Sequence, residues 1–158
     1  MANRIYVDTN VFIIGFESAD DHARAVRDFL SALRKWPGRA VTSELTLAEL
    51  LAPVSRPRAL PESERRRLYL DLLIWSGLID LYPVSRDVLI EAADLRKVVR
   101  HKLPDAIHVV IAARAHCAHF LADDEGLTRL PRGMRRLRAD RSGIDEALRA
   151  LTPADDSR

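Results

Sequence analysis

Short β-prone runs alternate with stretches of helical spacing along almost the whole chain, and this alternation restricts the possible folds more than any other property. The first run, Arg4-Ile5-Tyr6-Val7-Asp8, is apolar and rich in β-favouring residues. Val11-Phe12-Ile13-Ile14 follows as a short helical turn that ends at Gly15. Ser18-Ala19-Asp20-Asp21 resembles a capping box that opens a helix with Ala23, Val26, Leu30 and Leu33 on one face, closed by Pro37-Gly38. Residues 39–42 read as a weak second strand, and Ser43 as the cap of a helix through Leu45, Ala48, Glu49 and Leu51 that stops before Pro53. Residues 53–61 are a loop. The spacing of Leu68, Leu72 and Trp75 then predicts a helix from Pro61 to Gly77. Residues 78–84 read as a third strand, and Ser85 caps a helix carrying Val88, Ala92, Leu95 and Val99. Pro104 suits the first turn of another helix, which continues through Ile107, Val110 and Ile111. Residues 119–122 are a fourth strand, residues 134–139 a fifth at the edge, and the residues after Leu151 a frayed tail.

Strands that alternate with helices predict a three-layer α/β/α fold around a central, mainly parallel sheet of five strands. At 158 residues the chain suits a single domain over residues 1–151, with residues 152–158 as a flexible tail. No stretch approaches the ~18 consecutive apolar residues of a membrane span, and Ile5-Tyr6-Val7 is too short a run for a secretory signal. One cysteine, Cys117, rules out an internal disulfide and suits a reducing compartment, so the expected location is the cytoplasm.

In open parallel sheets, ligands bind beyond the carboxyl ends of the strands. Asp8 ends the first strand at that edge, and Asp123 and Asp124 leave the fourth strand there. Asp105 lies in the first turn of a helix that must begin at the same edge in order to return the chain to the start of the fourth strand. Glu49 lies ~9 Å into its helix, counting 1.5 Å per residue from Ser43, and its direction stays open. Converging carboxylates repel one another, and a hard divalent cation relieves that repulsion. Histidine and cysteine show no zinc spacing. Each acid also has a plain structural explanation: Asp105 suits a helix dipole, Asp124 a turn before Gly126, and Glu49 a solvated helix face. Asp8 is the hardest to explain that way, because a carboxylate closing a central apolar strand needs a partner. His108, one turn after Asp105, fits an ordinary surface or core histidine better than a site residue, and Cys117 reads as a small core residue.

The sequence from Tyr6-Val7-Asp8-Thr9-Asn10-Val11 onward resembles the PIN-domain family and, within it, the VapC-like toxins of bacterial toxin–antitoxin pairs. Thr42-Ser43-Glu44-Leu45-Thr46-Leu47-Ala48-Glu49-Leu50 is similar to the family's second motif, Leu103-Pro104-Asp105-Ala106-Ile107-His108 to the third, and Phe120-Leu121-Ala122-Asp123-Asp124-Glu125-Gly126-Leu127 to the fourth. The resemblance implies catalytic, metal-holding roles for Asp8, Glu49, Asp105 and Asp124, with Thr9, Asn10 and Ser43 in support. The family often carries Thr or Ser where this chain has Ala122; that register makes Asp124 the core acid and leaves Asp123 as an additional metal ligand candidate. It further implies an endoribonuclease dependent on Mg²⁺, with Mn²⁺ as a substitute, that arrests translation by cutting tRNA or ribosomal RNA. A homodimer held by helices of the first half and inhibition by a cognate antitoxin complete the expectation. The alternative is a PIN-fold module that binds RNA or protein with little catalysis.

Net charge is only +2, but arginines cluster at Arg56 and Arg58, at Arg65-Arg66-Arg67, and at Arg132, Arg135, Arg136 and Arg138. Guanidinium forks suit phosphate oxygens, so these groups are candidates for contact with an RNA backbone as well as for a solvated surface. A phosphatase or phosphorelay use of Asp8 as nucleophile usually needs a second Asp near the first, or an acidic pair before it, with a downstream Lys, and Asn10 stands where the second Asp would be.

Overall fold

The computed structural model describes residues 3–54, 59–123, 127 and 129–153. Its strands are β1 (Arg4–Val7), β2 (Ala40–Ser43), β3 (Asp80–Tyr82), β4 (Cys117–Leu121) and β5 (Arg135–Leu137). They form one sheet in the order β3-β2-β1-β4-β5, and every pairing is parallel rather than merely most of them. β1 is therefore the central strand, and β5 lies at an edge as expected. The helices are α1 (Thr9–Glu17), α2 (Asp21–Ala32), α3 (Glu44–Leu51), α4 (Glu62–Leu70), α5 (Arg86–Val98), α6 (Leu103–Arg114) and α7 (Arg141–Leu151).

Alternation along β1 sends its side chains into two cores. Ile5 and Val7 pack with Phe12, Phe29, Tyr69 and Ile144 of α1, α2, α4 and α7. Tyr6 packs on the other face with Phe120, Val88, Ile107 and Ile111, beneath α5 and α6. A parallel sheet covered on both faces needs near-continuous apolar strands, which is why β1 reads as it does. Each fully buried aromatic or aliphatic side chain here contributes roughly 1.5–3 kcal/mol.

Five local expectations change. The first helix does not end at Gly15 but runs through it to Glu17; a Cβ at Gly15 would stand 2.8 Å from Val26 Cγ1, so the glycine lets α1 and α2 approach. The cap of α2 is Asp20 rather than Ser18, accepting from the Ala23 N–H at 2.9 Å. Past α4 the chain widens into a π turn (Asp71–Trp75), closed by Ser76 N–H to Asp71 O at 2.8 Å. That wider turn rotates Trp75 off the buried stripe of Leu68 and Leu72 and leaves it 76% exposed. The third strand keeps only three of its seven expected residues, while the fourth begins earlier, at Cys117, whose buried thiol is pushed up to about 12.

No element is expected between the fifth strand and Leu151, yet α7 fills that stretch. Asp140 caps it through the Gly143 N–H at 2.8 Å, and Ile144, Ala147 and Leu151 bury its inner face. No helix among the described residues is long and apolar enough to cross a membrane.

Candidate active site

The carboxyl end of β1 supplies the first component of the site. Asp8 follows Val7 directly, its own N–H donates to Leu121 O of β4 at 3.0 Å, and its side chain is 5% exposed as the residue preceding α1. Burial pushes its carboxyl from 3.8 up to about 6. The charges of Glu49 and Asp105 push the same way, while His108 and the Thr9 backbone N–H pull against them. Asp8, Glu49 and Asp105 are thus electrostatic neighbours, brought together from β1, α3 and α6.

Glu49 points inward rather than to solvent. Thr46 and Glu49 are three residues apart on α3 and share a face, which β2 and the Ser43 cap turn toward β1. Glu49 Oε1 receives the Thr9 hydroxyl at 3.0 Å and lies 2.6 Å from His108 Nε2. Burial alone would raise the Glu49 carboxyl, but the hydrogen bond and charge of His108, with the Thr9 hydroxyl, hold it below its ordinary value.

Behind these groups runs a buried polar chain that the sequence reading does not anticipate. Thr42 donates to Val7 O at 2.7 Å, Thr46 Oγ1 lies 2.9 Å from Thr42 Oγ1, and Thr9 Oγ1 lies 3.2 Å from Thr46 Oγ1. His108 is no ordinary core histidine: it is 1% exposed, with Nδ1 2.6 Å from the Tyr6 hydroxyl and Nε2 3.9 Å from Asp8 Oδ1. Burial raises the Tyr6 phenol well above 10, with the Asp8 charge adding to the effect, so its hydroxyl keeps a proton to donate. Two spacings carried the signal for this chain: Thr46 to Glu49 and Asp105 to His108 are both three apart, hence one face of a helix each.

The remaining expected site residues are less concentrated. Asp105 is half-buried in the first turn of α6. Asn10 is exposed on the first turn of α1, and Asp123 is exposed just past β4. Ser43 is buried and occupied as a cap, accepting from the Leu45 N–H at 2.9 Å. Asp124 lies outside the described residues. Among the described residues no three His, Cys, Asp or Glu side chains already form a metal-holding group. The donor chemistry nonetheless fits a hard cation: the acids present oxygen only, and Asp8 is a buried carboxylate with carboxylate neighbours, the situation that a divalent cation relieves.

Residues 5–133 match the PIN domain family. The chain belongs to that family. Solved structures with the same fold include a toxin–antitoxin complex from Klebsiella pneumoniae, at TM-score 0.59 and 21% identity, covering 82% of this PIN domain chain and 94% of the other. A DNA-bound VapBC from Salmonella typhimurium aligns at TM-score 0.60 and 15% identity, covering 87% and 98%. VapC20 of Mycobacterium tuberculosis, a sarcin–ricin loop cleaving toxin, aligns at TM-score 0.59 and 13% identity, covering 73% and 86%. At these identities the likeness is one of fold. A comparison with curated proteins gives no match.

A basic cleft of about 540 Å³ opens at the corner between α5 and α6, lined by Arg96, Lys97, Arg100, His101 and Lys102. Lys102 is the N-cap of α6, three residues before Asp105. His101 Nε2 lies 3.0 Å from Arg129 O, which ties the corner to the segment that follows β4. The expected arginine clusters fare unevenly. Arg65 is 4% exposed and bonds Ala52 O, so it serves the fold; Arg135 and Arg138 pair with Glu146 and Asp140; Arg56 and Arg58 lie outside the described residues.

Proposed function

We propose that this PIN domain is a metal-dependent endoribonuclease, the toxin of a toxin–antitoxin pair that arrests translation in the cytoplasm by cutting tRNA or ribosomal RNA. The observation that carries the reading is Asp8, buried at the carboxyl end of the central strand with Glu49 and Asp105 close enough to raise its carboxyl. Family membership and the toxin folds it resembles support the same activity.

Asp8, Glu49 and Asp105, joined by Asp124, would hold Mg²⁺ or Mn²⁺, with Asp123 as a further oxygen donor. When bound, the ion acidifies a water and stabilises the oxygens of a phosphodiester undergoing in-line displacement. The chain's own part is to keep the acids aligned and largely dry. Thr9 fixes Glu49 by its hydroxyl and Asp8 by its backbone N–H. Asn10 remains exposed to orient a water or substrate oxygen. Arg100 and Lys102, both exposed beside the first turn of α6, offer positive charge to the RNA backbone. The VapBC complexes among the fold relatives favour a cognate antitoxin as partner, and the family resemblance favours a homodimer.

The purified protein is expected to cut RNA when Mg²⁺ or Mn²⁺ is present, and Asp8→Ala to stop it. Full activity in that variant would overturn the assignment.

A further inference from the structure

We infer that His108 is a positioning residue: with its ring fixed by Tyr6, it anchors one oxygen of Glu49 and thereby presents the other to the acid cluster. The inference rests on the reading of that cluster as a cation site, and the geometry gives it direction. Both hydrogen bonds to Glu49 land on the same atom, Oε1, from His108 Nε2 at 2.6 Å and Thr9 Oγ1 at 3.0 Å. Among the described residues Oε2 receives no hydrogen bond, and the side chain is 34% exposed. A carboxylate that binds a cation through one oxygen gains from having the other held, because rotation about its last bonds is already restricted.

The network also fixes which group donates to Glu49. Ionised Glu49 can only accept, so Nε2 carries the hydrogen between them. Nδ1 lies 2.6 Å from the Tyr6 hydroxyl, so the ring is held at both nitrogens. Tyr6 is itself immobile: it is fully buried on β1, with its ring stacked 4.9 Å from that of Phe120. The central strand thus sets the phenol, the phenol sets the imidazole, and the imidazole sets Glu49. Any buried imidazole needs partners on both nitrogens; what a core-filling role leaves unexplained is that one of them is a carboxylate whose side chain is still 34% exposed.

Mn²⁺ binding to the whole protein, followed by electron paramagnetic resonance of the free ion alongside thermal melting, tests this without reference to RNA cutting. His108→Ala is expected to weaken Mn²⁺ binding by about 10–100-fold. His108→Gln, whose amide can still donate to Glu49, should recover most of that loss, and Tyr6→Phe should weaken binding to a smaller degree. In a Glu49→Gln background, His108→Ala should produce no further loss. A folded His108→Ala protein with wild-type Mn²⁺ affinity and only a lowered Tm overturns the inference. Should that variant fail to fold, unchanged affinity in Tyr6→Phe overturns it instead. Failure of the underlying site looks different: Mn²⁺ binding that survives both Asp8→Asn and Glu49→Gln overturns the cation reading and this inference with it. Loss in those two variants with retention in His108→Ala removes His108 alone.

Discussion

Asp8 and Glu49 are electrostatic neighbours, yet their surroundings push their carboxyls in opposite directions. Asp8 closes an apolar central strand and is almost sealed from water, so desolvation dominates and raises it to about 6. Glu49 reaches in from α3, keeps a third of its side chain in solvent, and meets two donors, so it is lowered despite partial burial. The difference lies in what each acid lacks. Glu49 has one oxygen held by two of the protein's own hydrogen bonds, whereas Asp8 carries a charge that the fold leaves poorly compensated. Buried groups of that kind concentrate at functional sites, where an external charge completes them.

The strongest way to break the comparison is to remove the uncompensated charge. Asp8→Asn should lower RNA cutting by at least about 100-fold in steady-state assays with Mg²⁺, since it removes charge stabilisation worth several kcal/mol to the bound ion, at about 1.4 kcal/mol per tenfold. The same change should stabilise the metal-free protein. Unfolded Asp8 ionises near 3.8 and folded Asp8 near about 6, so between these values the folded state retains a proton that the unfolded state has lost. Stability therefore falls as pH rises through that window, by about 3 kcal/mol once pH 7 is reached. In EDTA at pH 7–8, Asp8→Asn is expected to be about 1–3 kcal/mol more stable, with a Tm several degrees higher and a flatter Tm–pH curve between pH 4 and 6. A variant that melts lower than wild type at every pH would contradict the desolvation account of Asp8.

The two acids also differ in how far the sequence revealed them. Asp8 was legible because one local pattern, an apolar run ended by a carboxylate, fixes both its strand and its edge. Asp105 was legible because the direction of α6 follows from the parallel connection to β4. Glu49 was not, since a single helix gives no bearing on what its acidic face meets; that depends on α3 leaning against Thr9 and on His108 of α6, 59 residues away. The roles of Tyr6, Thr42 and Thr46 were hidden for the same reason, each resting on partners from another element. The omission of α7 is of another kind. Its cap at Asp140 and the buried spacing of Ile144, Ala147 and Leu151 are local signals present in the sequence, so no partner from another element was needed to see it. Trp75 misled in the opposite way, because a period of 3.6 cannot foresee a π turn.

The comparison sharpens if RNA affinity is moved without touching either carboxylate. Arg100→Ala combined with Lys102→Ala should weaken RNA binding measured in EDTA by fluorescence anisotropy. It should also reduce the slope of log K against log salt by about 1.4, taking about 0.7 per phosphate contact on a single strand. The difference in stability between wild type and Asp8→Asn should persist in that background, since the cleft cations lie outside the Asp8–Glu49–His108 cluster. An unchanged salt slope would move the backbone contacts elsewhere, with the exposed Arg66 and Arg67 of α4 as the next candidates.

The smallest expected effect belongs to Glu49, and it carries the opposite sign. Glu49→Gln keeps an acceptor for Thr9 and His108 but loses the charge, so the folded protein should lose stability by no more than about 1 kcal/mol, the scale of one hydrogen bond. Because folding lowers the Glu49 carboxyl, its contribution is present above 4.5 and disappears as pH falls through the lower folded value. Thermal melts of wild type and Glu49→Gln in EDTA should therefore differ most near neutral pH and converge in acid. Wild type and Asp8→Asn, by contrast, should converge below pH 4 and separate as pH rises, with the variant above. Glu49→Gln melting higher than wild type at neutral pH would mean that desolvation governs Glu49 as it governs Asp8, and the contrast between the two acids would collapse.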